Sequence, residues 1–329
     1  MLERIEGRKS AVIAGLGLLL RLASLPAVAI DWSSVKENKI HFFYPGETSL
    51  EWMNSKRDHD GAAKYKKRKN SCQDCHAGDE QTIGNLLVVG SKSESKPLVG
   101  RRGYVPATLQ AAFTDTDIHI RIKWQRTGEQ VTWPKFTDLE EIRSEHYNSR
   151  LTLILDDKSI EEFDWGGCWA LCHADEKGMT MDGGKGSKEK YLAESRVEMH
   201  RKTGGGDNLR SDAEIQELIN KGVFLEYWQA GLNPGLSVDG LDGTILKERV
   251  ENQTQGVSVT AVENGDEWVV DFKRPLQAAP NHKPFKPGKQ YTIGLALHDQ
   301  STAGRYHLVT LELTMALGSG DSMIIAVKQ

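Results

Sequence analysis

The sequence predicts a mainly β protein, in which an antiparallel β-sandwich carries a helical insertion and follows a short irregular or helical segment. Apolar and polar residues alternate in several short stretches from about residue 85 onward, which is typical of half-buried strands. Turn-forming residues separate these stretches, as in antiparallel sandwiches. The chain has 329 residues, of which 38% are hydrophobic and 27% charged, so it can bury a large core.

The first 29 residues have the pattern of an export signal. Basic residues open the chain, and an apolar run from Ala11 to Ile30 follows. The run contains Ala27-Val28-Ala29, a small-x-small pattern that precedes cleavage sites. A retained membrane anchor is the alternative, but Arg21 inside the run opposes stable insertion. We therefore predict a signal peptide over 1–29 and a periplasmic chain, which associates with a membrane only if the signal stays uncleaved.

The net charge bears on the class of partner. It is −4 at pH 7, and removal of residues 1–29 takes away four basic and two acidic side chains, which leaves −6. Nucleic-acid binding needs a basic face. We therefore expect no nucleic-acid partner.

The cysteines carry the strongest chemical signal in the chain. The four cysteines form two pairs, and a histidine directly follows each pair. The first motif reads Cys72-Gln73-Asp74-Cys75-His76, the C-x-x-C-H signature of covalent c-type haem attachment. In such a motif two thiols form thioethers with the porphyrin, and the adjacent imidazole binds the iron as proximal ligand. We predict these roles for Cys72, Cys75 and His76, within an N-terminal haem segment over 30–84.

The distal ligand of the first haem is expected from the same segment. His59 is preferred because it lies near the motif in the chain, and a local histidine readily fills the sixth coordination position. His41 is the alternative, and Met53 is a third candidate. A solvated side chain among charged neighbours is the competing interpretation of His59.

The segment over 85–329 is predicted to form the sandwich. From Ile118 to Trp124, apolar residues alternate with His119, Arg121 and Lys123, which predicts a strand with one buried face. The same alternation predicts strands at Leu151 to Leu155, Val257 to Ala261 and Trp268 to Phe272.

An insertion over 164–232 separates the strands near 155 and 257. It holds glycine-rich stretches and two predicted helices, at 187–202 and at 211–220, the second with Ser211 as its N-cap. We expect this insertion to cover a second haem.

The second motif, Cys168-Trp169-Ala170-Leu171-Cys172-His173, is one residue wider than the first. Its loop must bulge if both sulfurs are to reach one porphyrin. We predict attachment through Cys168 and Cys172, with His173 as proximal ligand, so that the cofactors are two haem c groups. Zinc, a redox dithiol and a disulfide are the alternatives, but zinc sites use separated ligands and a redox C-x-x-C pair needs no following histidine.

Two strands are predicted to close the chain, at 291–298 and 305–317. The second alternates so that His307 lies on its apolar face, opposite a face with Tyr306, Thr310 and Glu312. His307 is the preferred distal ligand of the second haem, although such a histidine is more often a core residue. His298 is the alternative, because small residues on its strand face leave room for a porphyrin. Further candidates follow the second motif: Met179, Met181 and His200.

From about Leu86 to Leu317 the chain resembles a known family. The matching features are Gly166 through Asp175, Gly222–Gly235, Trp268–Leu276, Leu297-His298-Asp299 and Arg305-Tyr306-His307. They are similar to the haem-binding domain of the ethylbenzene dehydrogenase γ-subunit and its dihaem cytochrome c relatives. The resemblance implies a β-sandwich with haem at one end. In the γ-subunits the haem is b-type and is held by Met and Lys. Here Cys168, Cys172 and His173 stand on the Met side and His307 stands in place of the Lys, which favours a bis-His haem c.

The predicted function is electron transfer by an exported dihaem c-type cytochrome, which makes an enzymatic role less favoured. The predicted partners are redox proteins, either a membrane quinol-linked cytochrome or a molybdenum oxidoreductase. One alternative is a haem enzyme with an open axial site that acts on a small inorganic substrate. Another is an electron-relay subunit of a molybdenum oxidoreductase complex.

Overall fold

A computed structural model describes residues 29–46, 48, 50–92, 98–126, 149–173, 190–199, 205, 208–277, 279–300 and 306–329. The predicted signal peptide lies outside these residues except for Ala29. Within the described ranges, no helix combines the length and the apolar character that a membrane crossing requires.

Strands make up most of the regular structure. They are β1 (Asn38–Phe43), β2 (Tyr104–Phe113), β3 (Asp117–Gln125), β4 (Ser149–Asp156), β5 (Cys172–His173), β6 (Lys190–Tyr191), β7 (Leu225–Leu232), β8 (Asp239–Ile245), β9 (Arg249–Glu251), β10 (Ser258–Asn264), β11 (Glu267–Pro275), β12 (Gln290–His298), β13 (Leu308–Val309), β14 (Leu313–Leu317) and β15 (Ile324–Lys328).

The helices are short and lie mainly around the two cysteine motifs. They are α1 (Leu50–Met53), α2 (Ala62–Arg68), α3 (Cys72–His76), α4 (Glu80–Val88), α5 (Glu161–Gly166) and α6 (Asp212–Asn220), with 3-10 helices at Trp32–Ser34, Gly167–Ala170 and Ala193–Ser195.

Among the described residues, thirteen strands form one sheet that closes on itself in its middle. The strands β2, β1, β13, β12, β14 and β15 follow one another around a ring, because β15 pairs with both β14 and β2. These two pairings are parallel, whereas the neighbouring pairings around the ring are antiparallel.

Two arms extend from the ring and face each other. One arm continues from β2 through β3 and β11 to β10, and the other continues from β12 through β4, β7 and β8 to β9. The alternating strand β3 buries Ile118, Ile120 and Ile122 completely, and β4 buries Leu151 and Leu155 in the same way. These side chains belong to one apolar cluster, so the two arms form the layers of a sandwich.

Two further apolar clusters lie outside the main core. One covers the outer face of the second arm, where Ile154 and Tyr227 pack under Phe163 and Leu171 from the insertion. The other joins the N-terminal segment to the insertion through Cys72, Tyr65 and Trp169. Both motifs therefore dock on the outside of the sandwich, near its second arm.

The predicted mainly β sandwich is confirmed, and several elements match. Strand β12 agrees closely with the predicted strand at 291–298. Helix α6 begins after Ser211, whose side chain accepts from Glu214 N in a capping box, as expected.

Other elements differ from the predictions. The predicted strand at 305–317 is two strands, since Thr310 and its neighbours leave the ladder between β13 and β14. The predicted helix at 187–202 is wrong where the chain is described, because residues 190–199 hold β6 and a 3-10 helix. Strand β7 lies inside the predicted insertion but belongs to the main sheet, and β1 brings part of the predicted N-terminal segment into that sheet.

Candidate functional site

The first cysteine motif forms a helix of its own. Helix α3 begins after Ser71, whose hydroxyl accepts from Asp74 N while the Asp74 carboxylate accepts from Ser71 N. Helical spacing places Cys72 and Cys75 on neighbouring positions of one face. The Cys72 side chain is buried, whereas Cys75 is exposed. Two thiols at this spacing can reach one edge of a porphyrin.

His59 faces the proximal candidate His76 across a gap. The two ring centroids are 6.3 Å apart and the ring planes are inclined by 35°. A metal–imidazole bond is about 2 Å long and the ring centroid lies about 1 Å behind the nitrogen, so two imidazoles on one iron have centroids about 6 Å apart. The structure thus brings together the preferred pair at the separation that a shared iron requires.

The His59 ring is held in one orientation. Its Nδ1 lies 3.1 Å from the carbonyl oxygen of Met53, which only accepts, so Nδ1 carries the proton and donates. The ring also stacks on Trp52, with centroids 4.9 Å apart. This arrangement leaves the Nε2 lone pair for a metal, as in sites where a backbone carbonyl sets the tautomer of a ligating histidine.

The alternative ligands of the first site are engaged elsewhere. His41 lies on β1, where Nδ1 is 2.6 Å from the Tyr104 hydroxyl and the two rings stack. Met53 packs its side chain into the cluster around Cys72. Of the three candidates, His59 is the one whose ring contact with His76 is observed.

Burial shapes the protonation of the first motif. Desolvation, and then the charge of His59, lower the pKa of His76, so that its imidazole is neutral near pH 7. Burial raises the pKa of the Cys72 thiol well above its usual range. A reactive redox dithiol needs the opposite shift, so the environment of Cys72 does not favour that alternative.

The second motif has a different local structure. Gly167–Ala170 form a 3-10 helix, and Cys172–His173 form β5, which pairs with β6 so that His173 lies opposite Lys190. The side chains of Cys172 and His173 are outside the described residues, as are Met179, Met181 and His200. The motif therefore changes from helix to strand at the position of its additional residue.

A pocket of about 410 Å³, including the space at its mouth, opens beside Cys168. His307 and Lys190 line it together with small and apolar side chains such as Ala296. Gly294 lies on the same face of β12 as Ala296, two residues earlier in the strand. It leaves room for the Cys168 sulfur, because a Cβ at this position would lie 2.9 Å from Sγ. Of the two small residues on this face of β12, Ala296 thus lines the pocket and Gly294 accommodates the Cys168 sulfur.

The ring of His298 packs against the ring of His307. The two rings stack with centroids 5.4 Å apart. Arg150 Nη2 lies 2.9 Å from His298 Nε2, and because a guanidinium only donates, this nitrogen accepts. Burial, followed by the charge of Arg150, lowers the pKa of His298 well below its usual range. Its accepting nitrogen is therefore occupied, whereas His307 faces the pocket.

The two motifs are close neighbours. Trp169 lines the pocket beside Cys168 and also belongs to the cluster around Cys72. Tyr65 on α2 packs against Trp165 on α5 with ring centroids 5.0 Å apart, and Lys69 forms an ion pair with Glu161. Cys168 is among the groups that raise the pKa of Cys72. Charge at one motif therefore acts on the other.

The donor set fits c-type haem better than the other metal or thiol sites. Cys72, Cys75 and Cys168 are free thiols, and no group of three or more His, Cys, Asp or Glu side chains that could hold a metal ion occurs among the described residues. Burial raises the pKa of Cys168 to about 11, which is the opposite of the shift that a redox dithiol needs. Opposed imidazoles, paired cysteines and adjoining apolar surface are what a covalently attached haem needs.

Sequence reasoning missed three residues at these sites. Lys190 lines the second pocket, and burial lowers the pKa of its ammonium group to about 8. Trp169 joins the two sites, and Glu312 lies buried between the motifs. The position of Trp169 inside the motif was a usable signal, whereas nothing in the local pattern marked Lys190 or Glu312.

Comparison with known proteins relates the chain to cytochromes c. No protein-family model matches it. Cytochrome c-552 of Stutzerimonas stutzeri is 28% identical over 330 residues, which cover 98% of this chain and 100% of that protein. Cytochrome c-551 of Rhodocyclus tenuis is 24% identical over 304 residues, which cover 92% of this chain and 100% of that protein. The similarity thus extends over nearly the whole chain.

Two solved structures show a weak likeness to the chain. The carbohydrate binding module family 9 of Caldicellulosiruptor kristjanssonii in complex with cellotriose gives a TM-score of 0.28 at 7% identity, over 63% of this chain and 65% of that chain. The same module with glucose gives the same TM-score and identity.

Proposed function

We propose that the protein is an exported dihaem c-type cytochrome, which carries electrons between redox proteins of the periplasm or its membrane. The observation that carries the proposal is the pair His59 and His76, whose rings face each other with centroids 6.3 Å apart beside Cys72 and Cys75. The sequence similarity to cytochromes c supports it.

Each haem would be held by one cysteine pair and two histidines. Cys72 and Cys75 would attach the first, with His76 and His59 as axial ligands. Cys168 and Cys172 would attach the second, with His173 and His307 as axial ligands. When bound, haem c supplies a one-electron Fe(III)/Fe(II) couple.

The side chains around these positions suit electron transfer rather than catalysis. With two histidines holding each iron, no position on it would remain for a substrate. Trp52 and the Met53 carbonyl fix the orientation of His59, and His298 supports His307, so the ligands need little rearrangement when charge changes. Trp169 provides packed aromatic contact between the two sites.

The proposed partners are a membrane quinol-linked cytochrome or a molybdenum oxidoreductase. Helix α2, which packs on the first motif through Tyr65, exposes basic side chains at Lys64, Lys66, Lys67 and Arg68. Such a basic face would steer an acidic redox protein toward the first haem.

Mass spectrometry and carbon monoxide binding test the proposal together. The exported protein should carry two covalent haems, and its reduced form should bind no carbon monoxide. His59→Ala and His307→Ala should each open one iron, so that each variant binds one carbon monoxide per chain. His41→Ala is the matched control and should bind none, because His41 contacts Tyr104 instead.

Two results would contradict the proposal. A mature chain without covalent haem would overturn the cofactor assignment. Carbon monoxide binding by the reduced wild-type protein would favour the alternative, a haem enzyme with an open site. Stable co-purification of a large molybdenum subunit would instead favour an electron-relay subunit.

A further inference from the structure

Glu312 lies at the boundary between the two cysteine motifs. It sits in the break between β13 and β14, where the chain leaves the ladder. Its side chain is only 3% exposed, although the residue belongs to the polar face of the predicted strand. A carboxyl group at such a position needs an explanation, since unpaired carboxylates are rarely buried.

Glu312 binds the first motif through both its side chain and its backbone. Gln73 N, inside the C-x-x-C-H motif, donates to Glu312 Oε1 over 2.9 Å. The Gln73 side-chain amide donates to the Glu312 carbonyl oxygen over 3.1 Å. Leu311, the preceding residue, packs in the cluster with Cys72. The carboxyl group is therefore held directly beside the attachment site of the first haem.

Glu312 also contacts the second motif. A Cβ placed on Gly167 would lie 3.2 Å from Glu312 Cα and 3.3 Å from its Cβ. Gly167 directly precedes Cys168 in the chain, so Glu312 contacts both motifs. Among the buried carboxylates of the described residues, Glu312 alone is recorded with contacts to both.

The local environment leaves one oxygen of Glu312 able to take a proton. Oε2 has no hydrogen-bond partner among the residues that the structure describes. Burial raises the pKa of Glu312 to about 7, and the charge of Asp74 acts in the same direction. The hydrogen bonds from Gln73 and Ser71 lower the pKa but do not outweigh burial. The Cys72 thiol also hydrogen-bonds to the Glu312 side chain, and haem attachment would convert this thiol to a thioether.

We propose that Glu312 is a redox-linked proton site, which binds a proton when a neighbouring haem iron is reduced and releases it on oxidation. The proposal rests on the proposed function, because it requires haem at these motifs. An electron added near Glu312 removes positive charge from its surroundings, and this favours the neutral carboxylic acid. By linkage, a proton bound to Glu312 would in turn favour reduction of the neighbouring haem iron.

One proton would be bound for each electron gained and released for each electron lost. With haem bound, a donor protein would supply one electron to the iron, and one proton from solvent would form an O–H bond at Glu312 Oε2. When an acceptor protein took the electron, that O–H bond would break and the proton would return to solvent. The Ser71 hydroxyl hydrogen-bonds to Glu312 and is joined in the capping box to Asp74, which is exposed to solvent.

Redox titration of the holoprotein at several pH values tests this. In the wild-type protein, at least one haem potential should fall as the pH rises through about 7. Glu312→Gln keeps an acceptor for Gln73 N but cannot be ionised, and its potentials should lose that slope. Glu80→Gln is the matched control: Glu80 is 6% exposed and accepts from Gly78 N beside the first motif. Its potentials should shift but keep the wild-type slope.

The outcomes separate this proposal from the proposed function. Loss of the slope in Glu312→Gln alone supports the proton site. An unchanged slope in that variant, with both haems bound, overturns the proton site and leaves the cytochrome proposal intact. Absence of haem from the wild-type protein overturns both.

A measurement on the wild-type protein covers the case in which Glu312→Gln fails to fold or to bind haem. The infrared difference between reduced and oxidised protein near pH 7 should show a carbonyl band of a newly protonated carboxylic acid. Reduction in weak buffer should take up protons from solution. A wild-type protein with neither the band nor proton uptake contradicts the proposal.

Discussion

At the scale of single residues, a buried pair away from the cysteine motifs makes the stability of the protein depend on pH. His282 Nε2 lies 2.5 Å from Asp242 Oδ2, and these side chains are 3% and 0% exposed. Burial alone would lower the pKa of His282, but the hydrogen bond to Asp242 outweighs it and the pKa is raised. Burial would raise the pKa of Asp242, yet its hydrogen bonds, first with His282, lower it.

Asp242→Asn should therefore destabilise the protein in a pH-dependent way. The raised pKa of His282 contributes stability that is complete below its ordinary value of 6.5 and is lost as the pH rises through the folded-state pKa. The lowered pKa of Asp242 contributes above its ordinary value of 3.8. We expect a loss of about 3 kcal/mol between these values and a smaller loss at alkaline pH.

Urea denaturation of wild-type and variant across this pH range measures the difference. Lys221→Gln serves as the control, since Lys221 pairs with Glu217 at an exposed position and should cost little. An Asp242→Asn loss that stays constant from acid to alkaline pH would show that His282 is not charged in the folded protein.

At the scale of elements, the sharp turn between α5 and the second motif depends on Gly167. Its φ is 51° and its ψ is −129°, a combination that L side chains rarely adopt. The backbone of Glu312 lies against it, where a Cβ would be 3.2 Å from both Cα and N. The turn thus aims Cys168 at the pocket and brings Glu312 close to the motif.

Gly167→Ala should destabilise the fold by about 3 kcal/mol, since it combines backbone strain with crowding. Gly235→Ala is the matched control, because Gly235 has a φ of 72° but nothing within 4 Å of an added Cβ. Strain alone should cost it about 1 kcal/mol. Equal losses for the two variants in thermal or urea unfolding would show that the contact with Glu312 is easily relieved.

At the scale of the whole molecule, the last strand closes the ring of the sheet. β15 pairs in parallel with β14 and β2, through Ala316↔Ile325 and Ala112↔Val327 among others. Its inward residue Ile324 is 1% exposed. Without this strand, β2 and β14 would both have open edges, which are prone to misassociation.

Ile324→Ala should cost about 3 kcal/mol of unfolding free energy, because it leaves a cavity in the main core. The adjacent residue Ile325 points to the other face and is half-buried, so Ile325→Ala should cost about 1 kcal/mol or less. The free energies from denaturant unfolding of the two variants give the comparison. A larger loss for Ile325→Ala would mean that the outer face of β15 carries the packing.

Much of the fold could be predicted because the signals were local. Alternation identified β3 and β11, and the capping pattern at Ser211 identified α6. The break before β14 was not visible, since Thr310 makes hydrogen bonds to Leu295 outside the regular ladder. Short strands such as β1 and β15 gain their stability from partners far away in the chain, so their own sequence contains little sign that they form strands.

By itself, the sequence determined the class of fold and predicted a chemistry for the two motifs, because alternation and cysteine–histidine spacing are local properties. Only the tertiary structure decided which histidine faces His76, that His298 stands behind His307, and that both motifs share Trp169. It also decided the burial of Glu312, which is covered by the docked segment that holds the first cysteine motif. Period-two alternation reports which face of a strand meets its own sheet's core, whereas a segment from elsewhere in the chain can bury the opposite face as well.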